Sequence, residues 1–339
     1  MAKKILFLSK GDNASSTRYR ALQYFPILQE GGWQPSHHRI SGGFIAFITG
    51  LFLARQMDVV VLLRKTFPLP IFWLLRFFCK KIIFDFDDAI FCNTDGSFSA
   101  TRMARFKQTV AASDYIFAGN SYLANTARQF NPKVSVIPTS VDTNKYKLTS
   151  HKDSTRITLV WIGSKSTKKY IEAILPCIDQ LACKIPSLEL KIIADFKLEA
   201  KNLIIHNIKW QAQTEAQNLV DCHIGLAPLP EDDWTKGKCG LKVLQYMAAG
   251  LPVITSDTGV NREFVVHGVN GYVVTGENWG EAIEKATSNM QSLDTFGLAG
   301  QAKARDIYDI IPVSNKLKSL LFEVFSQDKK SSLGTNSAN

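Results

Sequence analysis

The stretch KGKCGLKVLQYMAAGLPVITSDTGVNREFVVHGVNGYVV, residues 236–274, predicts a helix, a sharp stop and a buried strand in succession. Gly250 follows the last apolar residues of the helical pattern, where a left-handed residue commonly closes a helix. Pro252 prevents the helix from continuing. The apolar residues 253–255 then predict a short buried strand, so this part of the chain has the helix–strand alternation that is typical of α/β proteins.

The polar side of the predicted helix carries two lysines. Lys238, Lys242 and Gln245 are spaced i, i+4 and i+7, so a helix would place them on one stripe. The repulsion of the two lysines and their position near the helix start each cost about 0.3–1 kcal/mol. An anion bound to the free N–H groups at the helix start would offset both costs, and a diphosphate would suit. Two solvated surface lysines explain the same pattern, so both interpretations stay open at this point.

The same residues resemble the donor-binding signature of family 4 (group 1) retaining glycosyltransferases. Besides the Lys-x-x-x-Lys spacing, the shared residues are Tyr246 to Gly250, Pro252, Val253, Ser256, Gly259, Glu263, Asn270 and Gly271. The resemblance extends over most of the chain. It implies an α/β protein of the GT-B architecture, in which two Rossmann-like domains with parallel sheets face each other across a cleft.

The resemblance also implies a nucleotide-diphosphate sugar as the donor substrate, with no metal ion and no separate cofactor. Lys238 and Lys242 would bind the diphosphate, Gln245 the ribose, and Glu263 the sugar or its loop. The family usually has two glutamates eight positions apart, and Gly237 and Gln245 occupy those positions here. Gln245 keeps a carbonyl acceptor but lacks the charge and the bidentate grip of a carboxylate.

A second anion-binding pattern begins the C-terminal half. The apolar residues 157–162 predict a strand, and a Gly-Ser-x-Ser-Thr turn at 163–167 leads into a helix. Such a turn offers backbone N–H groups and hydroxyls to an anion. The turn is not a P-loop, because the Gly-Lys-Ser/Thr spacing is absent. We therefore assign Gly163, Ser164 and Thr167 to the donor site, with Ser164 on the diphosphate.

Charge is distributed unevenly along the 339 residues. Residues 1–150 contain 19 Lys and Arg against 9 Asp and Glu, whereas residues 151–339 contain 21 of each, so the first part carries the whole net charge of +10. A basic surface attracts a membrane, a lipid phosphate or nucleic acid, although it can also be basic without a partner. No nucleic-acid-binding motif is recognisable, so we expect a membrane or lipid-phosphate partner instead.

The composition also indicates a compartment. The six cysteines are scattered, with no Cys-x-x-Cys pair, as in proteins of a reducing cytosol. The apolar run near the N-terminus is too short for a signal peptide, and no stretch reaches about 18 uninterrupted apolar residues. We expect a cytoplasmic protein, with peripheral contact to the inner face of the cytoplasmic membrane left open.

The segment 43–84 combines aromatic and basic residues. Asp58 is its only acid, and its basic residues are Arg55, Arg64, Lys65, Arg76, Lys80 and Lys81. Aromatic and basic residues together suit a membrane interface. Helices packed on a parallel sheet explain most of these side chains, so we expect only a few of them to form an interfacial patch.

Polar residues at predicted strand ends in the first half are candidates for the acceptor site. Arg18 and Arg20 lie in the first turn of a predicted helix, where cations are disfavoured unless an anion is near, although ordinary surface arginines remain the simpler explanation. Asn120 ends another predicted strand. Asp87 and Asp88 follow the strand 81–86, where a carboxylate could orient the acceptor hydroxyl or take its proton, and solvated loop acids would explain them equally well.

We accordingly assign Asp87, Asp88 and Lys242 to catalysis, and Arg18, Arg20 and Asn120 to the acceptor. The pair Asp85-x-Asp87 is similar to the metal-binding pair of the other glycosyltransferase fold. We expect no metal there, because short acidic matches are frequent and the lysine-rich donor signature belongs to a fold that handles the diphosphate without metal.

The predicted elements divide the chain into four parts. Residues 1–150 are expected to form an acceptor-binding Rossmann-like domain, and residues 151–310 a nucleotide-sugar-binding one. Residues 311–327 predict an amphipathic helix, which in the family crosses back to the N-terminal domain. The polar tail 328–339 is expected to be disordered.

The resulting hypothesis is a retaining glycosyltransferase that takes part in polysaccharide or lipopolysaccharide biosynthesis. It would transfer a sugar from a nucleotide-diphosphate sugar to a lipid-linked or cell-envelope glycan. The alternatives are another GT-B activity such as nucleotide-sugar epimerisation, a non-catalytic binding or scaffold protein, which Gly237 and Gln245 favour, and a nucleic-acid-binding protein, which only the basic half favours.

Overall fold

The computed structural model describes residues 2–12, 14–153 and 155–333, with side chains described as far as Phe325. The strands are β1 (Lys3–Ser9), β2 (Trp33–Arg39), β3 (Val59–Leu63), β4 (Ile82–Phe86), β5 (Tyr115–Ala118), β6 (Val134–Val136), β7 (Ile157–Ile162), β8 (Leu188–Ala194), β9 (Ile204–Lys209), β10 (Ile224–Ala227), β11 (Val253–Ser256) and β12 (Gly271–Val274). The helices are α1 (Ser15–Arg20), α2 (Phe25–Glu30), α3 (Phe44–Arg55), α4 (Leu69–Phe78), α5 (Ala100–Ala111), α6 (Ser121–Arg128), α7 (Lys168–Ala182), α8 (Glu215–Val220), α9 (Asp233–Lys236), α10 (Leu241–Ala248), α11 (Asn261–Phe264), α12 (Trp279–Ser288), α13 (Met290–Tyr308) and α14 (Ile310–Leu333).

The chain divides into two compact units. Unit 1 comprises Met1–Ser140, Gly237–Cys239 and Ile310–Asn339, and unit 2 comprises Val141–Lys236 and Gly240–Asp309. The chain therefore leaves unit 1 for unit 2 ten residues before the boundary expected at 150. The short segment Gly237–Cys239 belongs to unit 1 although it lies inside the sequence of unit 2, which the sequence did not indicate.

Unit 1 is built on a six-stranded sheet in the order β2-β1-β3-β4-β5-β6, and every neighbouring pair is parallel. All residues of β3 and β4 are buried, as expected where helices cover both faces of a parallel sheet. Right-handed crossovers place α3, α4 and α5 on one face. On the other face, Val313 and Leu317 of α14 join Tyr24 and Leu28 in one apolar core.

Unit 2 contains a second parallel six-stranded sheet, in the order β12-β11-β10-β7-β8-β9. One core lies between this sheet and α7 and α12, and includes Leu159, Ile171 and Ile283. A second core lies on the other side and includes Val160, Val243 and Ala304. The prediction of an α/β protein with two Rossmann-like parallel sheets is confirmed.

The last helix of the chain is longer than the sequence predicted. The helix α14 belongs to unit 1 and continues to Leu333, so it includes part of the segment that the sequence predicted to be disordered. Residues 334–339, the rest of the predicted tail, lie outside the described residues.

Candidate functional site

In unit 2, the turn after β7 lies directly beside the ring of Trp161. A Cβ atom added to Gly163 would come within 2.2 Å of Trp161 Cη2, so only glycine fits there. Trp161 itself is fully buried at the end of β7. The end of a parallel strand is where α/β proteins bind their ligands, so the residues after Gly163 lie at the edge where a ligand is expected.

Lys242 reaches the same ring from a different element. It lies in the first turn of α10, and its ammonium nitrogen is 4.3 Å from the centroid of the Trp161 ring. A cation over an indole ring is attracted by the electron density of the ring face. The ring of Trp161 therefore brings together the turn at Gly163 and the lysine, although the two are 79 positions apart in the sequence.

The turn itself is preorganised by hydroxyl groups. The Thr167 hydroxyl donates to the Ser164 carbonyl oxygen at 3.1 Å, and the hydroxyls of Ser164 and Ser166 are 3.0 Å apart. The backbone N–H of Lys165 donates to the carboxylate of Asp195 at 3.1 Å. Ser164 and Ser166 are exposed, so their hydroxyls remain accessible to a ligand.

Lys238 does not lie on the helical stripe that the sequence predicted. Gly240 has a φ of 62°, in the left-handed region, and α10 begins only at Leu241. Lys238 therefore precedes the helix and belongs to unit 1, where its ammonium lies 2.9 Å from Asp88 Oδ1. The structure groups this lysine with a predicted catalytic acid of unit 1. The end of the helix was predicted correctly, because Gly250 is left-handed with a φ of 70°.

Gln245 is buried, and its amide donates to Glu215 Oε1 at 2.6 Å. The indole N–H of Trp210 donates to the other oxygen of Glu215, also at 2.6 Å. The family usually has a carboxylate at position 245. Here a carboxylate lies beside that position instead, and it belongs to Glu215 of α8. Nothing in the sequence singled out Glu215, because the two residues are 30 positions apart and only the fold brings them together.

The remaining predicted donor residue, Glu263, lies exposed on the short helix α11. Its neighbour Phe264 packs against Gly240, since a Cβ on that glycine would come within 2.4 Å of the phenylalanine ring. The contact fixes α11 next to the start of α10, so Glu263 lies in the region of Lys242. Its role toward the sugar stays a prediction.

In unit 1, the acids after β4 form an ion-pair cluster. Arg64 pairs with Asp87, at 3.2 Å from Nε to Oδ1, and with Asp88. Asp88 is buried and also receives Lys238. Arg64 follows β3 directly and has a φ of 53°, a conformation that costs energy for a non-glycine residue and that its two carboxylate partners help to hold. The sequence did not single out Arg64 as part of this cluster, although its position at a strand end was a usable signal.

Arg20 binds a carboxylate inside unit 1, and the acceptor role assigned to it stays a prediction. It is buried, and its guanidinium binds the carboxylate of Asp85 through Nε at 2.5 Å and Nη2 at 3.0 Å. Its third contact is the Ile137 carbonyl oxygen at 3.0 Å. Burial opposes the charge of the guanidinium, but the Asp85 carboxylate outweighs it and raises the pKa of Arg20, so the arginine is a charged structural group.

Asn120 is a helix cap rather than an exposed acceptor ligand. Its side-chain oxygen accepts from the Leu123 N–H at 2.8 Å, and its amide donates to the Lys238 carbonyl oxygen at 3.1 Å. The side chain is buried, and the acceptor role assigned to it stays a prediction. Arg18 is half-buried, with its guanidinium 5.4 Å from the Tyr19 ring centroid, and its acceptor role stays a prediction.

Gly237 occupies the position where the family usually has its first glutamate. A Cβ atom there would come within 2.6 Å of the Ala89 backbone nitrogen, so the segment could not carry a larger residue without moving. The neighbouring Cys239 is also tightly packed, and burial raises the pKa of its thiol to about 12, which leaves it unreactive. Close packing in unit 1 thus favours glycine at position 237, where the family usually has glutamate.

One other polar residue, His223, has a structural role. Its side chain is buried and accepts the Thr158 N–H on Nδ1 at 3.1 Å. Burial lowers the pKa of His223, in keeping with a neutral ring. Among the described residues, no group of three or more His, Cys, Asp or Glu side chains is arranged to hold a metal ion.

Comparison with known proteins gives the class of the chain. Residues 156–291, which lie in unit 2, match the family model described as "Glycosyl transferases group 1". No curated protein matches the sequence. Residues 156–291 therefore form a group 1 glycosyltransferase domain, and the two parallel six-stranded sheets are those of the GT-B fold.

Three solved structures show how widely this fold is shared at low sequence identity. HepE of Anabaena, in complex with UDP and glucose, is 15% identical with a TM-score of 0.74, over 95% of this chain and 100% of that one. Sucrose-phosphate synthase of Thermosynechococcus elongatus is 12% identical with a TM-score of 0.72, over 96% and 100%. A glycosyltransferase of Rickettsia africae is 13% identical with a TM-score of 0.70, over 99% of both chains.

Proposed function

We propose that the protein transfers a sugar from a nucleotide-diphosphate sugar to a lipid-linked or cell-envelope glycan, with retention of the anomeric configuration. The observation that carries the donor part is the position of Lys242 and the Gly163–Thr167 turn on either side of the Trp161 ring. HepE, which shares the fold, has been solved with UDP-glucose, and this supports the choice of donor class.

Lys242 and the turn would bind the diphosphate together. The lysine supplies a positive charge, and the turn supplies the exposed hydroxyls of Ser164 and Ser166 with the N–H groups at the start of α7. The diphosphate is the leaving group of glycosyl transfer, so groups that bind it also stabilise the charge that develops in the transition state. We propose this electrostatic stabilisation as the main contribution of unit 2 to catalysis, without a metal ion and without a protein nucleophile.

The acceptor would be bound by unit 1. Asp87 is half-buried at the carboxyl end of β4, so it is the acid of the cluster that retains some access to solvent. We propose that it orients the acceptor hydroxyl, while Asp88 holds Arg64 and Lys238 in place. We further propose that the enzyme works in the cytoplasm, in polysaccharide or lipopolysaccharide synthesis at the membrane, and that it has no nucleic-acid partner.

The donor site is tested by thermal shifts with UDP, GDP, ADP and their sugars, comparing the wild type with Lys242→Ala. One nucleotide should stabilise the wild type, by about 2.7 kcal/mol at a concentration near 100 times Kd, and should lose most of this effect in the variant. Lys285→Ala is a matched control, because Lys285 also lies over an aromatic ring of unit 2, 5.4 Å from the Tyr272 centroid. Equal stabilisation of wild type and Lys242→Ala would refute the donor assignment, and hydrolysis of the stabilising nucleotide sugar would separate an enzyme from a scaffold.

A further inference from the structure

Unit 1 exposes large apolar side chains on two neighbouring helices. Six of them are exposed by 43% to 84%: Phe44, Ile45 and Phe52 on α3, and Trp73, Leu74 and Phe77 on α4. On α3, Ile45 and Phe52 are spaced i and i+7, and on α4, Trp73 and Phe77 are spaced i and i+4. Each pair therefore lies along one side of its helix.

The two exposed sides lie next to each other. The helices α3 and α4 follow β2 and β3 through successive crossovers in the same direction, so right-handed connections place both on one face of the sheet. The ring centroids of Phe52 on α3 and Phe78 on α4 are 6.2 Å apart, so the two helices are in direct contact. The inner sides of the helices carry the buried residues Leu51 and Phe72, so the outer sides are left toward solvent.

The packing of unit 1 does not require these outer residues to be apolar. The helix α5 lies in the same layer, and its exposed positions include Arg102, Arg105 and Lys107. A surface helix on a parallel sheet normally has polar residues on its outer side, as α5 does. Contiguous exposed apolar surface of this kind marks a site of interaction.

Positive charge surrounds the apolar surface. Arg55 ends α3 and Lys80 follows α4, and both are exposed. At the other end, Lys65 lies 5.7 Å from the Phe67 ring, which in turn contacts Phe47 of α3. Asp58, the only acid of the segment 43–84, is already paired with Lys80 at 3.1 Å. An anionic surface complements this arrangement, whereas a neutral or cationic one does not.

The helices are too short to cross a bilayer. At 1.5 Å per residue, the 12 residues of α3 span about 18 Å, against a hydrocarbon thickness of about 30 Å. None of the described helices combines the length and the apolar character that a membrane span requires. Short apolar helices with a basic rim instead suit the interface, where aromatic side chains enter the headgroup region and lysines and arginines meet the phosphates.

We propose that the outer sides of α3 and α4 bind the surface of an anionic lipid bilayer. Phe44, Ile45, Phe52, Trp73 and Phe77 enter the headgroup region, and Arg55 and Lys65 contact lipid phosphates. This proposal rests on the proposed function, because binding to the bilayer brings the enzyme to a lipid-linked acceptor. Binding itself requires neither donor nor acceptor and can be measured separately.

The test is flotation of the full-length protein with vesicles of phosphatidylcholine, either alone or mixed with phosphatidylglycerol. The wild type should float with the mixed vesicles, and added salt should weaken this binding. The double variant Trp73→Glu/Phe77→Glu should bind at least about tenfold more weakly, because two charges then have to enter the interface. A matched control is Leu298→Glu/Ile307→Glu, which changes two exposed apolar residues of unit 2 and should bind like the wild type.

Three outcomes would overturn the proposal. The first is that the wild type does not float with anionic vesicles, and the second is that Trp73→Glu/Phe77→Glu binds as well as the wild type. The third is that the wild type is a dimer and this variant is a monomer, which would assign the surface to contact with a second copy. Thermal melting shows whether the variant is folded. Its shift with nucleotide should equal that of the wild type, so failure of the donor site and failure of membrane binding are distinguishable.

Discussion

Among single residues, the hydrogen-bonded pair of Gln245 and Glu215 restricts which substitutions the protein tolerates at either position. Replacing Gln245 with Glu would restore the residue that the resembling family usually has. Here it would put a second carboxylate against the Glu215 oxygen that now accepts the amide at 2.6 Å. Two buried carboxylates cannot both ionise at that distance, so one of them has to be protonated at neutral pH, which costs free energy. We therefore expect Gln245→Glu to destabilise the protein by about 1–3 kcal/mol in urea unfolding.

The reverse exchange in the same chain provides the control. When Gln245→Glu is combined with Glu215→Gln, the amide at position 215 can donate to position 245 and still accept the Trp210 indole N–H. The double variant should recover most of the lost stability. If both single variants and the double variant unfold at the wild-type urea concentration, the pair does not contribute to stability as described.

At the scale of elements, α14 completes the core of unit 1. Leu321 is fully buried within the same cluster as Tyr24 and Leu28. Leu321→Ala should cost about 2–5 kcal/mol, because it removes buried methyl groups and leaves a cavity. Ile311→Ala, at a mostly exposed position of the same helix, should change stability by less than about 0.5 kcal/mol. Equal losses in the two variants, measured by urea unfolding, would contradict this packing.

Elements that depend on local signals were predictable from the sequence. Gly250 and Pro252 mark the end of α10, and the left-handed φ of the glycine confirms the prediction. Lys238 was placed on the helical stripe, but Gly240 adopts a left-handed conformation directly before α10 and interrupts the helical spacing after Lys238. A glycine inside a helical pattern is compatible with either continuation or interruption, so the pattern could not decide between them.

The site was harder to predict than the fold, because its contacts join distant parts of the chain. The Gly163 turn and Lys242 were recognised separately, and the Trp161 ring that links them was not. Arg20 pairs with Asp85 across 65 positions, so the sequence did not show the partner of this buried arginine. Periodicity reports which side of an element is buried but not which partner it meets there.

At the scale of the whole molecule, each unit has its own sheet and its own apolar cores. We therefore expect calorimetric unfolding to depart from a single two-state transition. Leu321→Ala should lower the transition of unit 1, and Gln245→Glu should lower that of unit 2. A nucleotide that binds at Lys242 should raise only the transition of unit 2. A single transition that both variants lower equally would show that the units unfold together.

The two-unit architecture was predictable because strands and helices alternate along the entire chain, and parallel sheets follow from that alternation. The exact division was not predictable, since Gly237–Cys239 carries no compositional sign that it belongs to unit 1. Its place depends on close packing, such as that of Gly237 on Ala89, which becomes visible only in three dimensions.

The three separate segments of unit 1 restrict how such a chain can be recombined. A crossover between two related genes near residue 140 would join the first segment of one parent to the Gly237–Cys239 segment and α14 of the other. Leu317 and Leu321 would then have to fill a core shaped by foreign residues. Hybrids that also transfer α14 from the first parent keep that core intact. To exchange donor specificity between two related genes, it is therefore better to replace the central region than to join the first half of one gene to the second half of the other.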